Sequence, residues 1–314
     1  MRRVTILLVI LLIAASAQAQ QPPTHPFPGV TYQHEIRATP PLHLHIVTIS
    51  LKSPAIHIQV SRGGNDPHLT PPWETTLMPV SAMAARDRLN IAINANFFAP
   101  KDYQMILGRR VGYYPGNWAR ACGFSMSDGR LYSKTPMLAD WPTLVVNSQG
   151  HVTIGKRPHL PPDARQIVSG NQMILINGQI AIPDDPDPSS NGRPAPHTAV
   201  AINQDATMLI LMVVDGRRPE YSAGLTIHQV ARELQKRGAW QALNLDSGGS
   251  STLVMTDPAG QPQVINRPSD GHDLPIPLSV ERSVVNALGI IIDGAATQPT
   301  TQPSLQKTFD TNRN

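Results

Sequence analysis

The chain has 314 residues, 40% of them hydrophobic, enough to build a core in one large or two ordinary domains, which excludes a globally disordered protein. Its formal charge is +4, from 26 Lys and Arg against 22 Asp and Glu. Arg2 and Arg3 fall in a segment expected to be removed, and the balance then left calls for no polyanionic partner, so nucleic acid is not expected as one.

Met1-Arg-Arg3, the apolar run 4–14 and Ala15-Ser-Ala-Gln-Ala19 have the order of a secretory signal, with cleavage after Ala19. A membrane anchor is the rival reading, but crossing needs about 20 apolar residues and the run is shorter. A secreted or periplasmic protein with no stable membrane insertion after cleavage is therefore expected. The 31 prolines gather in residues 20–41, 157–162, 183–196 and the C-terminal tail, where they mark linkers and long loops. Residues 20–42 read as a Pro-rich leader and 294–314 as a disordered tail, leaving one domain over 43–293. The one cysteine, Cys122, makes an intramolecular disulfide impossible. Its neighbours in Arg120-Ala-Cys-Gly-Phe124 offer no base, so it reads as a small residue of a strand or turn.

Strands are expected at 44–51 and 56–61. A helix over 80–89 then leads into an apolar strand at 90–93, followed by Asn94-Ala-Asn96 and two phenylalanines. Further strands are expected at 143–146 and 173–176, and the runs 199–203 and 207–214 form a hairpin about Gln204-Asp-Ala206. Thr226-x-x-Gln229 is a capping box, with Leu225 and Val230 placed as a hydrophobic staple, and Gly238 stops the helix. Strand 241–245 runs into Asp246-Ser-Gly-Gly-Ser-Ser251, strand character resumes at 252–255, and a last strand covers 284–292. Together these elements predict an α+β fold of mixed, largely antiparallel sheets with flanking helices in a single domain. Both helix–strand units deliver polar residues at a strand end, where binding loops collect in such proteins.

The turn after Asp246 pairs two glycines with Ser250, Ser251 and Thr252, a composition that brings amides and hydroxyls close to an anion. A tight glycine turn with Asp246 capping amides explains the same residues. The phosphate-loop and G-x-S-x-G patterns both fail, which disfavours nucleotide triphosphate hydrolysis and serine hydrolysis. No His pair at zinc spacing occurs.

Asn244-Leu-Asp-Ser-Gly-Gly-Ser-Ser-Thr252 resembles the signature of the phosphodiester glycosidase family, which includes bacterial exported proteins. The resemblance extends over 90–292 in order and spacing, through Asn94-Ala-Asn-Phe-Phe98, Asp215-Gly-Arg217, Gly224-Leu-Thr226 and Glu281-Arg-Ser-Val-Val-Asn-Ala-Leu288. Ser247 stands where the family more often has glycine, and His197-Thr198 where it has Arg-Thr. A permanent cation is thus replaced by a group that titrates near neutrality, unless Arg193 reaches the same place.

The resemblance implies an exported hydrolase that cleaves the glycosidic C–O bond of a sugar-1-phosphodiester. Asp215, Asp246 and Arg217 would be catalytic. Substrate would be bound by Asn94, Asn96, His197, Thr198, Gly248, Gly249, Ser250, Ser251, Arg282 and Asn286. Arg217 and Arg282 suit phosphate because a guanidinium fork matches its oxygens, and a carboxylate suits a developing oxocarbenium ion. Turns and surface ion pairs explain the same aspartates and arginines without chemistry. No cofactor is expected, although Asp215 and Asp246 together offer oxygen ligands to calcium or magnesium. The alternative is a non-catalytic protein binding an envelope glycan or exopolysaccharide. It is disfavoured because aromatic residues, 5% of the chain, do not cluster near Asp246 in the sequence.

Overall fold

The computed structural model describes residues 25–64, 73–106, 109–133, 138–157, 159–184, 192–271 and 279–295. Alternation within short apolar strands determines how its layers stack. In Ile91–Asn94, Ile91 and Ile93 enter one apolar cluster and Ala92 another. In His197–Ile202, Val200 and Ile202 face the first of these, while Ala199 and Ala201 face a third. Strands apolar on both faces must be covered on both.

Seven strands form the first sheet, in the order Val30–Ala38, Pro41–Ser50, Met208–Val214, His197–Ile202, Gln241–Asn244, Gln172–Ile176, Gln179–Ile180. The second runs Pro262–Val264, Leu253–Thr256, Ile91–Asn94, Asn286–Ile292, Ile56–Arg62. The main core lies between them, and Leu144, Val146, Val152, Ile154 and Val168 of another five-stranded sheet close its flank. Helix α1 (Val80–Asp87) covers the outer face of the second sheet through Val80, Met83 and Ala84. Helix α2 (Ile227–Lys236) covers the first through Ile227, Val230, Ala231 and Leu234. The result is a helix–sheet–sheet–helix stack.

Each expected strand and both expected helices form, within a few residues of the bounds read from the sequence. The fold class needs correction. Every described strand pairing is antiparallel, so these sheets are not mixed, and the described residues, with two α-helices among them, are mostly β. The physical reason is that each helix feeds a strand inserted between antiparallel neighbours, with no parallel crossover unit.

The folded body also begins before residue 43. Val30–Ala38 pairs along its whole length with Pro41–Ser50, burying Val30 and Tyr32 and exposing Thr31 and Gln33. The prolines at 22–28 and 40–41 flank this strand and do not interrupt it. The signal-like segment and residues 296–314 lie outside the described residues. Among the described residues no helix is long and apolar enough to cross a membrane.

The capping box of α2 is complete. Gln229 N donates to Thr226 Oγ1 at 3.2 Å, and Thr226 N donates to Gln229 Oε1 at 2.9 Å. Thr226→Ala should therefore cost about 1 kcal/mol in urea or thermal melting, with catalytic constants unchanged.

Candidate active site

The two helix–strand units end side by side at one edge of the stack. α1 leads into Ile91–Asn94 and out through Ala95 and Asn96, and α2 into Gln241–Asn244 and out through Leu245 and Asp246. The Asp246 amide donates to Ala95 O at 2.9 Å, which joins the two chain ends. Asn94 adds Nδ2 to Asp246 O at 2.6 Å, and its Oδ1 accepts from Thr198 Oγ1 at 2.8 Å and Thr252 N at 3.1 Å.

Asn94 is thus fully buried with its polar atoms engaged, which differs from the sugar contact expected of it. Asn96 and Asn286 differ in the same way. Asn96 Nδ2 donates to Cys122 O and Phe124 O, its Oδ1 accepts from Asn286 Nδ2 at 2.9 Å, and Asn286 Oδ1 accepts from Asn96 N at 2.9 Å. Strand-end amides in an interior must be satisfied, and these asparagines satisfy them. Thr198 is likewise buried.

The glycines after Asp246 have a reason beyond the turn. Gly248 has φ +67°, and a Cβ there would stand 2.7 Å from Nη2 of Arg217. A Cβ on Gly249 would stand 2.3 Å from Nη2 of Arg282 and 2.4 Å from Oδ1 of Asp270. Two guanidinium groups therefore lie against bare backbone on consecutive residues. Gly248→Ala should displace Arg217 and strain the backbone, costing about 1–2 kcal/mol and lowering kcat/KM roughly tenfold or more. Melting and steady-state kinetics would check both.

Arg217 is itself in the left-handed region at φ 59° and is exposed. Arg282 is held differently. Its Nε and Nη2 donate to Asp270 Oδ2 and Oδ1 at 2.9 and 2.6 Å, and its guanidinium lies 4.0 Å from the centroid of the Tyr113 ring. Nη1 points to Ser250 Oγ at 3.5 Å. The fork expected to grip phosphate is already taken by a carboxylate, a partner to which its geometry fits equally well.

Asp246 is half-buried, and this enclosure pushes its carboxyl up to about 6, against the opposing pull of Ser250, Arg282 and the Ser247 amide. Ser247 N donates to its Oδ1 at 2.9 Å. Ser251 is buried, with its carbonyl accepting from Asn266 Nδ2 at 3.0 Å.

Asp215 has a different environment. It is 1% exposed, and its oxygens accept from Asn266 Nδ2 at 2.9 Å, Arg267 N at 3.0 and 3.1 Å, and Tyr221 Oη at 3.2 Å, with His45 Nε2 at 3.3 Å. Asn266 links it to the glycine turn, since the same Nδ2 reaches Ser251 O and its Oδ1 accepts from Leu253 N at 2.8 Å. Asn266, Arg267 and Asp270 were not anticipated from the sequence.

His197 Nε2 donates to Leu225 O at 3.0 Å, and burial lowers its pKa to about 4, with the Arg217 charge adding to the fall. The group expected to titrate near neutrality is therefore neutral there, and Arg217 supplies the charge in that corner. Arg193 is exposed.

Aromatic rings do gather here, contrary to their spacing in the chain. Tyr113 lies under Arg282 and edge-on to Phe98 at 5.7 Å, and Phe97 packs edge-on to Trp141 at 5.5 Å. Burial pushes the Cys122 thiol up, with the Asp246 charge adding, which opposes a nucleophilic thiolate. Among the described residues no group of three or more His, Cys, Asp or Glu is placed to hold a metal ion.

A half-buried carboxylate of raised pKa beside two arginines, on a glycine turn where two antiparallel sheets end, makes a polar site suited to an anionic ligand. The family described as phosphodiester glycosidase matches residues 87–291, and the chain belongs to that family of hydrolases. No curated protein matches it in sequence.

Among solved structures it is similar to the zebrafish N-acetylglucosamine-1-phosphodiester alpha-N-acetylglucosaminidase catalytic domain, auto-inhibited by pro-peptide. That match has TM-score 0.60 and 20% identity, covering 83% of this chain and 82% of that one. A hypothetical protein from Synechocystis aligns with TM-score 0.58 and 17% identity over 85% of this chain and 63% of its own. A Burkholderia pseudomallei protein carrying an exported-protein designation aligns with TM-score 0.54 and 15% identity over 80% and 74%. At these identities the likeness is one of fold.

Proposed function

We propose that the protein hydrolyses a sugar-1-phosphodiester at the anomeric C–O bond, giving free sugar and the phosphomonoester of the other alcohol. The observation that carries this reading is the pair of guanidinium groups lying against Gly248 and Gly249 beside the Asp246 carboxyl. A phosphodiester leaving group is already weakly basic, so stabilising its charge matters more than protonating it. Arg217, exposed at Gly248, and Nη1 of Arg282 are suited to that task, with the Gly249 amide and Ser250 alongside, whereas the Gly248 amide already donates to Pro196 O at 3.0 Å.

Asp246 faces the sugar carbon and acts in its ionised form, either on water or on carbon directly. Asp215, whose oxygens are engaged inside the protein, positions the turn through Asn266 and does not itself touch substrate. Asn94, Asn96, Thr198 and Asn286 hold the strand ends in register, His197 closes the corner behind Arg217, and Ser251 anchors the turn. No cofactor takes part. The signal-like N-terminus supports export to the periplasm or medium, where the substrate would be a soluble or envelope glycan carrying such a linkage.

The test is release of reducing sugar from a panel of sugar-1-phosphodiesters by the protein, with and without chelator. Turnover unaffected by chelator is expected. Binding of the panel without turnover would overturn the proposal in favour of a glycan-binding protein.

A further inference from the structure

Asp270 is the carboxylate that the proposed chemistry leaves unused, although it lies in the same cluster. Its two oxygens take Nε and Nη2 of Arg282 at 2.9 and 2.6 Å, and Oδ1 lies so near Gly249 that any side chain there would strike it. On its other side the guanidinium rests on Tyr113 at 4.0 Å. Asp270 and Tyr113 thus hold Arg282, and Nη1 turns towards Ser250 Oγ at 3.5 Å. Both partners are mostly enclosed, with side-chain exposures of 16% for Arg282 and 28% for Asp270.

The consequence is one of charge. Without Asp270 the Arg282 charge at the turn would be uncompensated, which favours a dianion more than a monoanion. Asp270 offsets that charge at contact distance. The field at Gly248 and Gly249 is thereby less positive by about one charge, and that favours a monoanion over a dianion. A phosphodiester carries one negative charge, whereas a phosphomonoester near pH 7.5 carries close to two. The hydrolysis proposed above turns the first into the second.

We propose that Asp270, acting through Arg282, is the residue that sets the site's preference for a monoanionic phosphodiester over a dianionic phosphomonoester, so that product is not retained. This deepens the reading of the site as a phosphodiester hydrolase and rests on it. Asp270 is a positioning and charge-balancing residue; its carboxylate touches the guanidinium and not the substrate.

The test compares wild type, Asp270→Asn and Asp270→Glu at pH 7.5. The asparagine keeps the shape of the side chain and removes its charge, and the glutamate restores the charge. Competitive inhibition of sugar-1-phosphodiester hydrolysis is measured with inorganic phosphate and with dimethyl phosphate. In Asp270→Asn, inhibition by phosphate should tighten roughly tenfold relative to inhibition by dimethyl phosphate, and Asp270→Glu should return the ratio towards wild type.

A merely structural loss would weaken both inhibitors alike and leave the ratio unmoved, which would overturn the proposal. Should wild type hydrolyse no diester, the reading of the site as a hydrolase fails separately. The same ratio, read by calorimetric titration of the two anions, then still decides the role of Asp270.

Discussion

Asp246→Asn should lose roughly 10³-fold or more in kcat and yet melt at a higher temperature than wild type at pH 7.5. Both effects follow from one position. The carboxyl is enclosed at the end of Gln241–Asn244, and its pKa rises to about 6 because burial disfavours the charged form more than Ser250, Arg282 and the Ser247 amide favour it. The folded value lies above the unfolded one, near 3.9, so between these values the folded state holds a proton that the unfolded state has released.

Stability from this group is accordingly full below about pH 4 and is lost as pH rises through 6. At pH 7.5 the ionised carboxylate is a cost on the order of 2 kcal/mol, which a neutral amide of the same shape removes. The gain in melting temperature should vanish towards pH 4 and open between pH 4 and 7, while kcat/KM of the wild type rises through about pH 6 as the active ionised form appears. A scan of melting temperature and steady-state rate against pH reads both. An Asp246→Asn protein that keeps near-normal turnover would remove Asp246 from the chemistry, and one that melts lower than wild type at pH 7.5 would contradict the cost of burying its charge.

Asp215→Ala should behave in the opposite sense. Removing this carboxylate strands Asn266 Nδ2, the Arg267 amide, Tyr221 Oη and His45 Nε2 in an interior where Asp215 is 1% exposed. Loss of a buried charged acceptor with several donors costs about 3–5 kcal/mol. Because Asn266 also holds Ser251 O and the Leu253 amide, the turn carrying Gly248 and Gly249 should loosen and kcat should fall with stability. Asp215→Asn, which can still accept one of these bonds, should lose less of each. Urea melting beside kinetics would separate the cases: an Asp215→Ala protein as stable as wild type but inactive would mean that the carboxylate meets substrate directly.

Local signals in the chain carried far. The capping box at Thr226 and the hairpin of His197–Ile202 with Met208–Val214 depend on neighbours a few residues apart, and they form as the sequence implies. The two polar strand ends after α1 and α2 were legible for the same reason, although that they meet was not. The Asp246–Ala95 contact joins segments about 150 residues apart, and no local pattern encodes it.

Val30–Ala38 was hidden by proline-rich flanks even though Val30 and Tyr32 keep strand alternation. Asn266 and Asp270 carried no signal, because one is defined by Asp215, 51 residues away, and the other by Arg282, 12 residues on. The sequence likewise offered Asn94 and Asn96 equally to sugar or to structure, and only burial separates those uses.

The most direct test of the chemistry is hydrolysis of a sugar-1-phosphodiester by wild-type protein in ¹⁸O-water, with mass analysis of both products. Attack at the anomeric carbon beside Asp246 requires the label in the released sugar and unlabelled phosphomonoester. Label in the phosphate would mean P–O cleavage and would contradict the glycosidic mechanism.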